Sequence, residues 1–461
     1  MYSEYAVHDR KTLLVAFHPV TFCGWPHHAI AFGRITLKTR FVRTAELFFV
    51  TIVLTLAAFA QEPNLQGHWV SAWSTAVHTP LTFPGMPPLA TFDNQTLRMV
   101  IRPTIGGQRL RIRFSNELGA MPLTIGSAHI ALVKKSGIII PGSDRPLTFA
   151  GKTTVNIPAG APMLSDPAEL TVPAFAEVAV SVYLPKKTAP STFHLLGQHN
   201  TYISGPGNFV GSEEIPNSKV TRSWYWLADL EFLTTDKSAS IVAYGDSITD
   251  GVGAKEDEYG DWPNQLAKRL AEIKSESSLA VVNEGIGGNR ILYDGAGINA
   301  LARLDRDVLS QPGIADLIVL EGINDIGWPH MKPIPAKEGS PLHGNPFAAQ
   351  AVTAGDLIQG MQQIINRAHE HGIRVFGATI TPYKGADYFT EDGEVVRQAV
   401  NQWIRTGGAF DGVFDFDAAV RDHDHPAQFS EGLQSGDHLH PNSAGYKAMA
   451  ASIDLSSLRA K

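Results

Sequence analysis

The sequence has very little cysteine: Cys23 is the only one in 461 residues. A framework of disulfide bonds and metal sites built on paired cysteines are therefore excluded. A chain of this length does not need disulfide bonds, because it can bury a core large enough to stabilise its fold. Its length allows two or three domains, and an apolar content of 44% is ordinary for a globular protein.

The sequence also lacks an excess of positive charge. It contains 38 Lys and Arg residues against 45 Asp and Glu residues, which gives a net charge of −7. Residues 1–60 carry six basic and three acidic residues, so the rest of the chain has a net charge of −10. This balance argues against a nucleic-acid partner.

Long apolar runs are scarce, and the one near the N-terminus, Leu47–Leu56, is short for a membrane span. Basic residues within 38–43 precede it and Ala58-Phe59-Ala60 follows, which is typical of a secretory signal peptide. We therefore expect cleavage before Gln61, a secreted or periplasmic product, and no stable membrane insertion after cleavage. An uncleaved membrane anchor is the alternative.

Residues 1–60 are thus predicted to be an upstream extension followed by the signal peptide. Residues 1–36 fit neither a signal peptide nor a folded domain. We expect the mature protein to lack them and, with them, Cys23.

Residues 61–236 have the pattern of an all-β domain. Leu110, Ile112 and Phe114 alternate with arginines, and a similar alternation runs over 178–184. This period of two places one face of each strand on a core and the other in water. Turn-forming Gly and Pro residues separate the strand-like segments. The pattern predicts an N-terminal β-sandwich or jelly-roll domain.

Residues 237–461 have a different pattern, in which short apolar runs alternate with helical stripes. The runs are Ile241–Tyr244, Ala280–Asn283, Leu317–Leu320 and Val375–Thr379. One stripe is formed by Trp262, Leu266, Leu270 and Ile273, and another by Leu357, Met361, Ile364, Ile365 and Ala368. Such alternation predicts a parallel sheet covered by helices on both faces, a three-layer α/β/α domain. Ligands in this architecture bind at the carboxyl ends of the strands.

The first predicted strand of this domain ends in Gly245-Asp246-Ser247. A serine on a tight turn after a strand is expected to be exposed and placed to attack a substrate, once a base takes its proton. A plain turn between a strand and a loop is the alternative for this tripeptide alone.

Three later segments supply the remaining parts of a nucleophilic site. Glycines around Gly288 allow close approach, so its N–H could face an oxyanion. Asn324 follows the third predicted strand and can offer a side-chain amide as a further donor. Asp437 and His440 lie three residues apart, which lets one short turn carry both the base and the residue that orients it.

Together these segments resemble the SGNH (GDSL-type) hydrolases, in particular secreted bacterial esterases with an N-terminal β-domain. The family's Ser, Gly, Asn and His fall on Ser247, Gly288, Asn324 and His440, and its Asp falls on Asp437. Position 248 has Ile where the family motif has Leu, and Trp69–Trp73 is similar to the start of the family's β-domain.

The resemblance covers about residues 65–455 and implies a flavodoxin-like α/β/α fold. It also implies an acyl-enzyme mechanism without cofactor or metal. In that mechanism the N–H groups of Ser247 and Gly288 and the amide of Asn324 form the oxyanion hole.

Other reaction classes find less support in the sequence. His423-Asp424-His425 has no accompanying Cys cluster or His-Glu-x-x-His, so we interpret it as a solvated loop. Thr249 replaces the second glycine of an α/β-hydrolase Gly-x-Ser-x-Gly elbow. Gly285-Ile286-Gly287 lacks the third glycine of a dinucleotide-binding fingerprint.

The substrate is the least determined feature. Asp246, Asn289 and Trp328 are candidate substrate contacts, and His330 and His343 share with Trp328 a loop rich in Pro, Gly and His. No apolar lid helix follows, which favours short acyl esters, such as acetyl groups on polysaccharide, over long-chain lipids. The alternatives are a lipase, arylesterase or thioesterase of the same fold, or a carbohydrate-binding protein.

Overall fold

The computed structural model describes residues 67–80, 91–273, 278–333 and 344–458. The predicted signal peptide, Cys23 and His343 lie outside the described residues. Residues Gln66–Lys461 form one compact unit. None of the helices in the described part of the chain is both long and apolar enough to cross a membrane.

The N-terminal part is built from antiparallel strands. Its strands are β1 (His68–Ser74), β2 (Gln95–Ile101), β3 (Gly107–Ser115), β4 (Leu123–Ile125), β5 (Ser127–Lys135), β6 (Ile138–Ile139), β7 (Arg145–Leu147), β8 (Val155–Ile157), β9 (Pro162–Leu164), β10 (Ala168–Val172), β11 (Val178–Leu184), β12 (Phe193–His194), β13 (Thr201–Pro206), β14 (Lys219–Thr221), β15 (Trp224–Tyr225) and β16 (Leu227–Thr234). Of its two large sheets, the first has the order β1-β16-β3-β10 with β9 beside β3, and the second has the order β14-β13-β2-β11-β5-β6 with β7 beside β5. Strands β12 and β15 form a two-stranded sheet, as do β4 and β8.

The two sheets enclose a shared apolar core. Ile112 and Phe114 of the first sheet and Met99 and Val180 of the second are fully buried in one cluster. The alternating residues predicted to face a core do so, because a strand turns successive side chains to opposite faces. The predicted all-β architecture of the N-terminal region is therefore confirmed.

The C-terminal part contains a parallel sheet and helices. Its strands are β17 (Ala239–Gly245), β18 (Leu279–Gly285), β19 (Ile314–Leu320), β20 (Arg374–Ala378) and β21 (Gly412–Phe414). Its helices are α1 (Ser247–Asp250), α2 (Trp262–Ala271), α3 (Ala300–Leu304), α4 (Ile323–Gly327), α5 (Ala354–Glu370), α6 (Glu391–Thr406), α7 (Phe416–Val420) and α8 (Ser443–Ala451). A π-helical turn, Asp305–Leu309, continues α3, and 3-10 turns lie at Trp328–His330, Ala348–Gln350 and Leu455–Ser457.

The parallel strands have the order β18-β17-β19-β20-β21, which is the flavodoxin-like order. Both faces are covered. Ile241 packs in a cluster with Trp262 of α2, whereas the next residue, Val242, packs in a cluster with Leu304 and Ile364 of α3 and α5. The predicted three-layer α/β/α fold is confirmed.

One predicted helical position is wrong. Ile273 was expected to extend the apolar stripe of α2, but the helix ends at Ala271 and the Ile273 side chain is 49% exposed. Strand β21 and helices α3, α4, α6, α7 and α8 were not predicted. Strand β21 has only three residues, whereas α6 does carry a regular apolar stripe that includes Val396, Val400 and Ile404.

Candidate active site

Ser247 lies where strand β17 meets helix α1. Asp246 caps the helix: its side chain accepts a hydrogen bond of 2.8 Å from the N–H of Ile248. The capped turn fixes Ser247 as the first helical residue, directly beyond the carboxyl end of the strand. We expected an exposed serine, but Ser247 is only 6% exposed.

His440 and Asp437 complete a hydrogen-bonded row with this serine. Nε2 of His440 is 2.8 Å from Oγ of Ser247, and Nδ1 is 2.5 Å from Oδ2 of Asp437. A carboxylate can only accept, so Nδ1 of His440 carries a proton and Nε2 is free to accept the serine proton. The structure brings together the three residues that the sequence separates by up to 193 positions.

The Asp437 carboxylate is held in its charged form. Partial burial raises its pKa, but the side chain of His440 and the N–H groups of His440 and Leu439 all donate to it and lower its pKa well below the usual range. The two N–H groups lie 2.9 and 3.0 Å from Oδ1. The same short turn thus carries the base and fixes its orienting partner.

The turn that carries His440 packs closely on the segment after α1. Gly253 has a φ of +88°, and a Cβ built on it would lie 2.5 Å from the carbonyl oxygen of Pro441 and 3.2 Å from Cβ of His440. Only a glycine fits this approach. This backbone contact helps to set the distance between His440 and Ser247, although Gly253 is not itself part of the hydrogen-bonded row.

Two backbone N–H groups near the serine have no partner. Among the described residues, no acceptor takes the N–H of Ser247 or of Gly288. Gly288 has a φ of +78°, as expected for a loop that needs a glycine. A Cβ on this residue would lie 2.8 Å from the Trp328 ring. Free N–H groups of this kind are suited to a developing oxyanion.

The Asn324 side chain is fixed at both ends. Its amide nitrogen donates to the carbonyl oxygen of Asn289 at 3.0 Å, and its oxygen accepts from the Tyr388 hydroxyl at 3.2 Å. One amide hydrogen is left for a substrate. Tyr388 therefore orients Asn324, a role that no local sequence pattern indicated.

A fully buried arginine ties the strand ends together beneath the site. Arg303 of α3 donates to the carbonyl oxygens of Gly245 at 2.9 Å and Glu284 at 2.8 Å, and to Oδ1 of Asn289 at 2.8 Å. These acceptors belong to the segments that lead to Ser247 and Gly288. Sequence reasoning missed Arg303, because nothing near it in the sequence points to the site.

The candidate substrate contacts occupy different places. Asp246 is 1% exposed and engaged as a helix cap, and Asn289 is 1% exposed with its amide donating to the carbonyl oxygens of Ala296 and Ile298. The structure therefore gives both side chains internal hydrogen bonds in place of an open face to substrate. Trp328 packs against the backbone of Gly288, the residue that carries the second free N–H group.

The histidines of the predicted solvated loop lie away from the hydrogen-bonded row of Ser247. His423 is fully exposed and bonded to its neighbour Asp424. The described ranges contain no group of three or more His, Cys, Asp or Glu side chains that could hold a metal ion. His330 closes the short turn that begins at Trp328.

The C-terminal part of the chain matches a known protein family. Residues 243–448 match the GDSL-like lipase/acylhydrolase family. The matched span contains Ser247, Gly288, Asn324, Asp437 and His440. A search of curated proteins found no match.

Among solved structures, the chain is similar to a carbohydrate acetylesterase family member from Sinorhizobium meliloti, with 16% identity over 46% of this chain and 94% of the other, and a TM-score of 0.35. It is similar to the aryl esterase of M. smegmatis, with 16% identity over 47% and 96% of the two chains and a TM-score of 0.35. A member of the lipolytic protein G-D-S-L family from Veillonella parvula gives 16% identity over 47% and 96%, with a TM-score of 0.32. At these identities and TM-scores, the substrate of none of these three proteins can be assigned to this chain.

Proposed function

Because residues 243–448 belong to the GDSL-like lipase/acylhydrolase family, whose members hydrolyse esters, we propose that this chain is a serine esterase with Ser247 as its nucleophile. The observation that carries this proposal is the row of hydrogen bonds from Ser247 Oγ through His440 to Asp437. It supplies the nucleophile, the base and the group that orients the base.

The reaction has two halves. Oγ of Ser247 attacks the ester carbonyl carbon while Nε2 of His440 takes its proton, and the tetrahedral oxyanion accepts from the N–H groups of Ser247 and Gly288 and the Asn324 amide. His440 then protonates the leaving alcohol, and the acyl group stays on Ser247. Water attacks the acyl-enzyme while Nε2 of His440 takes its proton, and this proton passes to Oγ of Ser247 as the bond to the acyl group breaks and the carboxylic acid leaves.

Replacement of the nucleophile tests the proposal. We expect Ser247→Ala to abolish hydrolysis of p-nitrophenyl acetate, while the melting temperature stays near that of the wild type, because only a hydroxyl group is lost. Ser127→Ala, in strand β5 of the β-domain, is the matched control and should keep full activity. Activity in a folded Ser247→Ala protein would refute the assignment.

We further propose a short acyl group, acetyl above all, carried on a polysaccharide. A short acyl group agrees with the sequence that follows Asn324, which contains no continuous apolar lid helix. A polymeric substrate agrees with export, which we propose from the predicted signal peptide.

Substrate class and export are tested separately. Acetate release from acetylated xylan, compared with hydrolysis of p-nitrophenyl esters of increasing chain length, should favour the two-carbon acyl group. A preference for long chains would instead identify a lipase. N-terminal sequencing of the exported product should begin near Gln61, and a start at Met1 would contradict cleavage.

A further inference from the structure

The β-domain contacts helix α1 of the candidate active site through His194, the last residue of strand β12. Its side chain is buried, with Nδ1 at 2.8 Å from the carbonyl oxygen of Ala76 and Nε2 at 3.0 Å from Oδ1 of Asp250. Both partners can only accept hydrogen bonds, so both ring nitrogens carry a proton and His194 is an imidazolium. It forms a buried ion pair with Asp250.

Asp250 connects the two loops that carry the reacting groups. It is the last residue of α1, the helix that Ser247 begins, and its second oxygen, Oδ2, accepts from the N–H of Gly287 at 3.0 Å. Gly287 directly precedes Gly288, whose N–H faces no other described group. The carboxylate therefore sets where the Gly288 loop lies relative to Ser247.

A second contact holds the same loop from the β-domain. A Cβ built on Gly287 would lie 2.6 Å from Cδ1 of Leu196, two residues after His194, so the leucine packs directly on the loop backbone. The segment itself is fixed by His78, whose Nε2 accepts the N–H of Leu195 at 3.1 Å. Burial, and the charge of His194, lower the pKa of His78 to about 4, which keeps this acceptor unprotonated.

We propose that His194 is a positioning residue of the esterase site, which places the oxyanion-binding loop through Asp250. The β-domain is thereby a structural part of the active site as well as its neighbour. This inference rests on the proposed function, since it assigns the N–H of Gly288 to the oxyanion.

The expected effect falls on the transition state. A displaced Gly288 N–H changes the affinity for substrate little. It weakens the hydrogen bond to the oxyanion, which forms only in the transition state. We expect His194→Ala to lower kcat about tenfold to a hundredfold with KM nearly unchanged, as small misplacements in a site do. Inhibition by a trifluoromethyl ketone, whose adduct with Ser247 carries an oxyanion, should weaken in parallel.

Two substitutions of Asp250 separate positioning from general stability, and they decide the matter if His194→Ala does not fold. Asp250→Ala removes the acceptor of the Gly287 N–H and should lose kcat like His194→Ala. Asp250→Asn can still accept that N–H through its oxygen and donate to a neutral His194. It should therefore recover most of the activity.

The control is His129→Ala, since His129 of strand β5 forms another histidine–aspartate pair of the β-domain, with its Nδ1 2.8 Å from Oδ2 of Asp144. We expect it to leave kcat unchanged. Equal kcat in wild type and in folded His194→Ala and Asp250→Ala would overturn the inference, as would an Asp250→Asn protein no better than Asp250→Ala. A wild-type protein without esterase activity would instead refute the proposed function.

Discussion

At the scale of single residues, ionisation of the buried carboxyl group of Asp246 makes the reaction rate depend on pH. Burial raises its pKa to about 7, against the opposing effects of the Ile248 N–H and of His440. The group therefore becomes charged as pH rises through 7. An ionised Asp246 stabilises the imidazolium that His440 forms in the transition state, so its effect on rate increases with pH.

Asp246→Asn tests this link. It keeps an oxygen to cap Ile248 but never ionises, so the ratio of wild-type to variant kcat should increase from pH 6 to pH 8. At pH 8 we expect roughly a fivefold difference, which corresponds to about 1 kcal/mol of lost charge stabilisation. A ratio that is constant over this range would contradict the effect.

The same shift has the opposite consequence for stability. The folded state keeps a proton on Asp246 that the unfolded chain releases above about pH 4. This residue therefore lowers the free energy of unfolding as pH rises from about 4 through 7, and Asp246→Asn should remove that part of the slope. Ionisation of Asp246 thus increases the reaction rate and decreases the free energy of unfolding.

At the scale of elements, the turn that carries His440 depends on the segment after α1. Gly253→Ala should lower kcat strongly, because its Cβ would collide with the carbonyl oxygen of Pro441 and push His440 away from Ser247. Hydrolysis of p-nitrophenyl acetate and the melting temperature measure the effect.

Gly408→Ala is the matched control for this prediction. Gly408 also has a positive φ, +67°, but a Cβ there meets nothing within 4 Å. It should cost about 1 kcal/mol of stability through backbone strain and leave kcat unchanged. Equal activity in the two variants would show that the collision does not reach His440.

The elements themselves were largely predictable from the sequence. The apolar runs that predicted parallel strands lie in β17 to β20, because strands buried on both faces are apolar throughout. The predicted end of α2 was wrong at Ile273, since an apolar residue just beyond a helix continues its periodicity without belonging to it. Strand β21 was missed because three residues carry too little pattern.

At the scale of the whole molecule, the β-domain and the α/β/α domain share buried contacts. Ala280 of β18 packs in the core of the β-sandwich, and Ser74 donates to the buried carboxyl group of Glu284. The N–H of Ser71 also donates to the carbonyl oxygen of Pro312 at 3.1 Å. These contacts couple the stabilities of the two domains.

We therefore expect residues 66–461 to unfold in one transition. Near-ultraviolet circular dichroism, tryptophan fluorescence and esterase activity should be lost at the same concentration of urea. A transition at lower urea concentration that unfolds the β-domain and leaves the activity intact would show that the two domains unfold independently.

The sequence by itself determined the fold class and the order of the segments that carry Ser247, Gly288, Asn324, Asp437 and His440. It could do so because periodicity and turn chemistry are local properties. Only the tertiary structure showed that Tyr388 orients Asn324, that Arg303 joins the strand ends, and that His194 reaches Asp250. These contacts join residues 56 to 64 positions apart, and such pairings depend on how the layers pack rather than on any pattern within one segment.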